Sequence, residues 1–191
     1  MAPLIIAPPP GMEEEFVKLL TAREMRDPAI EARVMQAYNG LKKIAAQKKI
    51  GEGRELSIRP IMPVDLLAGA AQRWITGALG AAAWTQYINV QLNSAQAVCF
   101  FGAYNADTNQ QVNSFRFGAG NAGAGGVKAH LPYEQSLIEQ DAIVYHTPIY
   151  YLPDEWVQTA LYAQNAVATQ RWGYIGLIAE KAGEIVKGVL V

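Results

Sequence analysis

The chain has 191 residues, of which 51% are hydrophobic and 17% are charged. An ordinary soluble domain has about 25% charged residues, whereas only six of the 16 basic and nine of the 17 acidic residues here follow residue 60. The net charge of −1 argues against a general nucleic-acid-binding protein, and a single cysteine, Cys99, excludes an internal disulfide. A surface so poor in charge predicts that copies of the chain, or other proteins, cover much of it.

The first 12 residues predict an extended arm. They include four prolines and Gly11, which favour an extended chain that is either unstructured or lies across a neighbouring subunit. The arm lacks the basic region and the long apolar run of a secretion signal, so we expect no signal peptide. Residues 13–54 follow as a predicted helical region, with one helix over residues 13–26 that has three glutamates in its first turn.

A second helix is predicted to begin at Asp27 and Pro28 and to end at the glycines at positions 51 and 53. Its apolar residues recur at spacings of three and four, which predicts packing on the first helix or on a sheet: Ile30, Val34, Ala37, Leu41 and Ile44. Its basic residues predict either a solvated helix face or a non-specific nucleic-acid contact: Lys42, Lys43, Lys48, Lys49 and, just beyond it, Arg54.

Residues 55–191 are predicted as a β-sandwich domain. Short runs rich in aromatic and β-branched residues alternate with turn residues, which predicts strands at 55–62, 85–92, 96–104, 111–117, 127–131, 142–152, 156–162 and 171–178. Pro60 places the first strand at an edge or at a bend, and an apolar run closes the chain at 184–191. Because no helical pattern separates the strands after residue 85, the fold class is α+β, mainly β: an antiparallel sandwich with an N-terminal helical region and arm.

Three stretches of this domain carry more specific expectations. Residues 64–83 are ambiguous between helix and strand, with a buried helix favoured; they include Gln72, Arg73 and several glycines, so they do not predict a membrane span. Residues 85–92 alternate, which predicts Ile88 on a buried face and Tyr87 on the opposite one. Residues 96–104 are apolar throughout, which predicts a strand buried on both faces.

No motif identifies a reaction. Gly118, Gly120 and Gly123 match the spacing G-x-G-x-x-G, but the residues that follow cannot form the helix that a dinucleotide site requires, so a loop is the preferred interpretation. His130 and His146 are the only histidines, too few for a metal site built on imidazole ligands. Cys99 lies inside an apolar strand, where thiols are usually inert.

The closing strands carry a resemblance. The residues 148–153, 157–161 and 172–180, together with the abundance of Gln, Asn, Ala and Gly, resemble the closing strands of small jelly-roll-like virion proteins of phages and archaeal viruses. The resemblance implies a shell, cap or connector subunit that associates with copies of itself and with other structural proteins. It also implies a virion protein that is assembled in the host cytoplasm.

Three hypotheses of function follow. The first is a structural, non-enzymatic protein without cofactor or metal, in which tryptophans either anchor an interface or form the core: Trp74, Trp84, Trp156 and Trp172. The second is a sandwich module that binds a small ligand or a carbohydrate. The third is an enzyme that uses Cys99, His130 or His146.

Overall fold

The computed structural model describes residues 28–53, 55–67, 74–107, 111–119, 126–132 and 142–181. The predicted arm 1–12, the helix 13–26 and the closing run 184–191 lie outside these residues. The second predicted helix is confirmed as α1 (Pro28–Lys48). Gly51 and Gly53 adopt φ values of 84° and 78° in the turn that follows it, a conformation that glycine adopts at little cost.

Nine strands and one further short helix, α2 (Pro63–Leu66), follow along the described chain. The strands are β1 (Leu56–Pro60), β2 (Ile75–Leu79), β3 (Ala83–Gln91), β4 (Gln96–Asn105), β5 (Val112–Gly118), β6 (Val127–Pro132), β7 (Ala142–Tyr151), β8 (Trp156–Ala163) and β9 (Val167–Lys181).

The strands form two antiparallel sheets, which confirms the predicted sandwich. The five-stranded sheet has the order β1-β9-β4-β7, with β2 also pairing with β9, and the four-stranded sheet has the order β3-β8-β5-β6. Apart from β2, each sheet has four strands, and the chain passes between the sheets at β2–β3, β3–β4, β4–β5 and each connection from β6 to β9. This strand order is that of a jelly roll.

The core between the sheets follows from the period of two along each strand. On β8, Val157, Leu161 and Ala163 point inward and are buried, and aromatic rings from both sheets meet at the centre. The ring centroids of Phe100 and Phe117 are 5.3 Å apart, which is within the range of favourable aromatic pairs. The inward-pointing side chains of both sheets therefore form one core between them.

Helix α1 covers the outer face of the five-stranded sheet. Its regularly spaced apolar residues Val34, Ala37 and Leu41 are buried against Ala97 and Leu177 of the sheet. Strand β4 is consequently buried on both faces, as predicted, with Val98 in the core between the sheets and Ala97 beneath the helix. The molecule thus has three layers, with the five-stranded sheet in the middle.

Gly40 is required at the contact between α1 and β7. A Cβ at this position would overlap the ring of Tyr150, whose hydroxyl donates a hydrogen bond to the carbonyl oxygen of Gln36 at 2.9 Å. The cost in helix propensity, up to about 1 kcal/mol, is therefore offset by a close approach that no larger residue permits.

One expectation for residues 64–92 was wrong, and the question left open for residues 64–83 is answered in part. Within the described residues, the helical interpretation holds only for α2, and the chain forms strand β2 from Ile75, because the long strand β9 offers it a pairing partner. Tyr87 was placed on the polar face, but a bulge between Gln86 and Ile88 turns it to the core, where its ring centroid lies 4.4 Å from that of Trp172. Gly77, which has no side chain, leaves room for the Tyr87 ring.

A buried ion cluster ties α2 to the end of the five-stranded sheet. Arg59 donates two hydrogen bonds of 2.8 Å to Asp65 and one of 2.8 Å to Glu180. The Glu180 side chain is only 1% exposed. Removing one partner of such a cluster costs about 3–5 kcal/mol, because a charge is left buried without compensation.

Candidate interaction surface on the four-stranded sheet

The outward-pointing residues of the four-stranded sheet form a second broad surface, which we call the outer face. They are rich in aromatic and amide side chains, and none of those described is acidic: Trp84, Gln86, Asn89 and Gln91 of β3, Trp156, Gln158, Ala160 and Tyr162 of β8, Ser114, Arg116 and Gly118 of β5, and Val127 and His130 of β6. Helix α1 packs on the other sheet, and the short helix α2, which contacts β3, has Leu66 buried in the core between the sheets. Val127 is 58% exposed.

One residue from each strand contributes to a band across the outer face. The indole of Trp84 lies with its ring centroid 5.5 Å from that of Tyr162 and 5.1 Å from that of His130, and the guanidinium carbon of Arg116 lies 4.6 Å from the indole centroid. We call these four residues the aromatic–cation band. The band brings a cation, an imidazole and two aromatic rings together on an otherwise uncharged surface.

The sheet register explains how residues on opposite edges meet. Ala160 of β8 pairs with both Gln86 of β3 and Arg116 of β5, and Arg116 pairs with His130 of β6. The short side chain of Ala160 leaves space for the Trp84 indole to reach across β8 to Arg116. Ala160 is only 5% exposed although it lies on the outer face, which agrees with an indole lying over it.

Arg116 has unused donors. Within the described residues, its guanidinium contacts the Trp84 ring but makes no hydrogen bond or ion pair. A cation–π contact of this kind contributes about 0.5–1 kcal/mol at an exposed site and holds the side chain in one orientation. Because a guanidinium has five N–H donors in a planar fork, it can bind a carboxylate or a phosphate through two parallel hydrogen bonds.

The four tryptophans have different environments. Trp84 lies in the band, and Trp156 lies on the outer face at the start of β8, opposite Gln91. Trp74 precedes β2 and stacks with Arg171, whose guanidinium carbon is 5.4 Å from the ring centroid. Trp172 is 0% exposed and belongs to the core, as the alternative interpretation of the tryptophans expected.

The basic residues of α1, together with Lys49 just after it, lie on the opposite side of the molecule from the outer face. Lys42, Lys43, Lys48 and Lys49 are all exposed, and Lys49 forms an ion pair of 3.4 Å with Glu52. Arg54 lies outside the described residues. Lys42 and Lys43, as neighbours on a helix, point about 100° apart, so the four lysines do not line up along one stripe.

The structure separates the residues considered for catalysis. Cys99 lies beneath α1, where burial raises the pKa of its thiol, whereas His130 points outward from the other sheet. Cys99 and His130 therefore cannot form a dyad in this fold. The side chain of His146 lies outside the described residues. Among the described residues, no three His, Cys, Asp or Glu side chains are grouped closely enough to hold a metal ion.

The glycine-rich stretch connects antiparallel neighbours. Strands β5 and β6 pair directly, and the amide of Ala119 donates a hydrogen bond of 2.9 Å to the carbonyl oxygen of Gly126. This is the geometry of a hairpin, whereas the dinucleotide motif needs a strand that leads into a helix. Residues 120–125 lie outside the described chain.

A cleft of about 480 Å³ lies between the edge strands β6 and β7. Its walls are largely apolar, with Leu131, Tyr145 and Ile149 among them. The ammonium group of Lys128 at its rim is already paired, at 2.6 Å from a carboxylate oxygen of Glu155 and 2.6 Å from the Tyr150 carbonyl oxygen. The charge at this cleft is thus neutralised within the chain, in contrast to that of Arg116.

No protein-family model and no curated protein matches the sequence. In the part of the chain that the structure describes, neither helix has the length and apolar character needed to span a membrane.

Sequence analysis did not find the band. Alternation along residues 111–117 places Arg116 on the polar side of a strand, which is a local signal. The pairing of Arg116 with Trp84 depends on strands that are not neighbours in the sheet and lie some 30 residues apart in the chain. That register is decided by the two-sheet topology.

Proposed function

We propose that the chain is a structural subunit that self-associates through its outer face. The composition of that face supports the proposal, since interfaces are enriched in Trp, Tyr and Arg and depleted in Lys, Glu and Asp. The outer face has Trp84, Trp156, Tyr162 and Arg116, and none of its described residues is Lys, Glu or Asp. Trp, Tyr and Arg are also the residues that contribute most to binding energy at interfaces.

The size of the outer face suits this role. Four strands about 4.8 Å apart and about eight residues long give a projected area of roughly 500 Å². Side-chain relief raises the accessible area toward the roughly 800 Å² that each partner buries in an interface of standard size. A contact on this scale supports a stable assembly.

Within this proposal, the subunit belongs to a virion, as a shell, cap or connector component assembled in the host cytoplasm. The support is the resemblance of the closing strands to virion proteins and the jelly-roll strand order, which viral capsid proteins share with lectins and cupins. The lysines of α1, on the side away from the outer face, are the proposed contact with nucleic acid inside the particle.

The test compares one substitution at two positions. Gln86→Lys places a charge on the outer face, whereas Gln47→Lys makes the same change on the exposed side of α1. We expect the wild-type protein and the Gln47→Lys variant to form the same assembly in sedimentation velocity, and Gln86→Lys to shift the population toward monomer. A wild-type chain that stays monomeric at all concentrations would refute self-association.

The alternative function is binding of a small ligand or carbohydrate. The aromatic rings of Trp84 and Tyr162 and the amides around them would suit a sugar, and the cleft between β6 and β7 has the volume of a small-molecule site. A monomeric wild-type protein whose tryptophan fluorescence changes with an oligosaccharide, and no longer does so in Trp84→Ala, would support it instead.

A further inference from the structure

We infer that the outer face binds a different, carboxylate-bearing surface of a neighbouring copy, so that the contact is head to tail, with Arg116 receiving the carboxylate. The inference rests on the proposed self-association. The inference adds the symmetry class of the contact and names Arg116 as the residue that selects this symmetry.

Charge complementarity argues against the symmetric arrangement. Two outer faces packed on each other would bury Arg116 and His130 from both copies, and none of the described residues of either face is acidic. Burying a guanidinium without a paired anion carries a large desolvation cost. A partner surface that brings a carboxylate converts that cost into a charge-assisted pair.

Arg116 is prepared for such a partner. Its contact with the Trp84 ring fixes the guanidinium, and the donors it leaves unused within the described chain are available for an incoming carboxylate. Less side-chain freedom is then lost on binding than for an arginine without a ring contact. His130, beside Arg116 in the register, adds a second donor at the same place.

The described chain has exposed carboxylates away from the outer face. Glu52 and Glu55 are exposed after α1, and Glu52 pairs with Lys49 at 3.4 Å. Among the described residues, a neighbouring copy therefore offers Glu52 and Glu55 from a surface that is not its own outer face. Such heterologous contacts build closed rings or open filaments, whereas a symmetric contact stops at a dimer.

Mixing experiments distinguish the two arrangements. In a head-to-tail contact, an Arg116→Glu subunit keeps its acidic surface and loses its receiving face, so it caps wild-type assemblies. We expect the mean number of subunits, measured by native mass spectrometry, to fall steadily as the fraction of Arg116→Glu rises. The variant alone should need about a tenfold higher concentration, or more, to assemble.

A symmetric contact gives the opposite result. The new carboxylate would then face Arg116 of a wild-type partner, and one-to-one mixed pairs would form more readily than wild-type pairs. That result, or assembly of Arg116→Glu at the wild-type concentration, would overturn the inference while leaving self-association intact. A wild-type chain that never assembles would overturn both.

Two control variants isolate the role of the charge. Arg33→Glu makes the same substitution on α1, at a residue outside the lysines proposed to contact nucleic acid, and should leave both the assembly and the mixing curve unchanged. Arg116→Met keeps an apolar side chain over the Trp84 ring, so it should fold, with thermal unfolding near that of the wild type, and still fail to extend the assembly. If Arg116→Met extends the assembly normally, the carboxylate contact is refuted.

Discussion

The outward-pointing surfaces of the two sheets differ in their residues and in what covers them. The five-stranded sheet presents small and aliphatic residues such as Ala97, Cys99 and Leu177, and α1 of the same chain buries them. The four-stranded sheet presents aromatic, amide and cationic residues, and α1 lies on the opposite side of the molecule from them. A face that its own chain covers can be wholly apolar. We propose that a partner covers the second face, whose polar groups water can solvate before the partner binds.

The largest expected effect is on the covered face. Leu41→Ala removes a fully buried side chain between α1 and the sheet and should lower the free energy of unfolding by about 2–5 kcal/mol, since the cavity adds to the lost transfer energy. Urea denaturation followed by circular dichroism measures it. Lys43→Ala, exposed on the same helix, should stay within about 0.5 kcal/mol of the wild type.

The matching change on the outer face should act on assembly. Trp84→Ala removes the centre of the aromatic–cation band and should weaken self-association by about 2 kcal/mol or more, the scale of a dominant interface residue. Concentration-dependent sedimentation gives this value, and urea denaturation of the monomer shows how much stability is lost with it. An unchanged sedimentation profile would show that the aromatic–cation band is not part of the interface.

We expect the buried thiol of Cys99 to make the free energy of unfolding depend on pH in the alkaline range. Burial raises the pKa of Cys99, so the folded protein keeps the neutral thiol while the unfolded chain ionises near its ordinary pKa of about 8.5. The stabilisation is fully present below that value and is lost as the pH rises, at about 1.4 kcal/mol per pH unit. Unfolding free energies at pH 8, 9 and 10 test it.

Cys99→Ala provides the control for this pH dependence. It should lower stability at pH 8, because it leaves a small cavity, and flatten the decrease between pH 8.5 and 10. An equally steep decrease in Cys99→Ala would assign the effect to other groups. The wild-type thiol should also react with alkylating reagents only at the rate at which α1 opens or the chain unfolds.

The smallest effect is expected at the exposed lysines of α1. Replacing Lys42, Lys43, Lys48 and Lys49 by alanine should weaken binding to DNA at low salt and reduce the salt dependence, by up to about one unit of slope per lost phosphate contact. Fluorescence anisotropy at several salt concentrations measures both. Gln86→Lys, with its added cation on the other side of the molecule, is the comparison that shows whether position matters.

Local sequence patterns predicted most of the strands correctly, but they failed where pairing with a distant strand decided the structure. Runs of aromatic and β-branched residues between turn residues, most of them alternating between apolar and polar, were sufficient for β1 and β3–β9. The same reasoning misplaced Tyr87, since a bulge shifts the side-chain pattern by one residue. It also favoured a helix where β2 forms, because pairing with β9, nearly 100 residues later, outweighs local propensity.

The sequence by itself determined that the chain is a mainly β sandwich with a helix ahead of it and few charges over its body. Those properties depend on periodicity and composition, which are local. The tertiary structure alone decided that α1 covers one sheet and not the other, that Trp172 is inside and Trp84 outside, and that Arg116 meets Trp84 across β8. The physical reason is that strand order and register bring together residues far apart in the chain, and no short stretch of sequence specifies them.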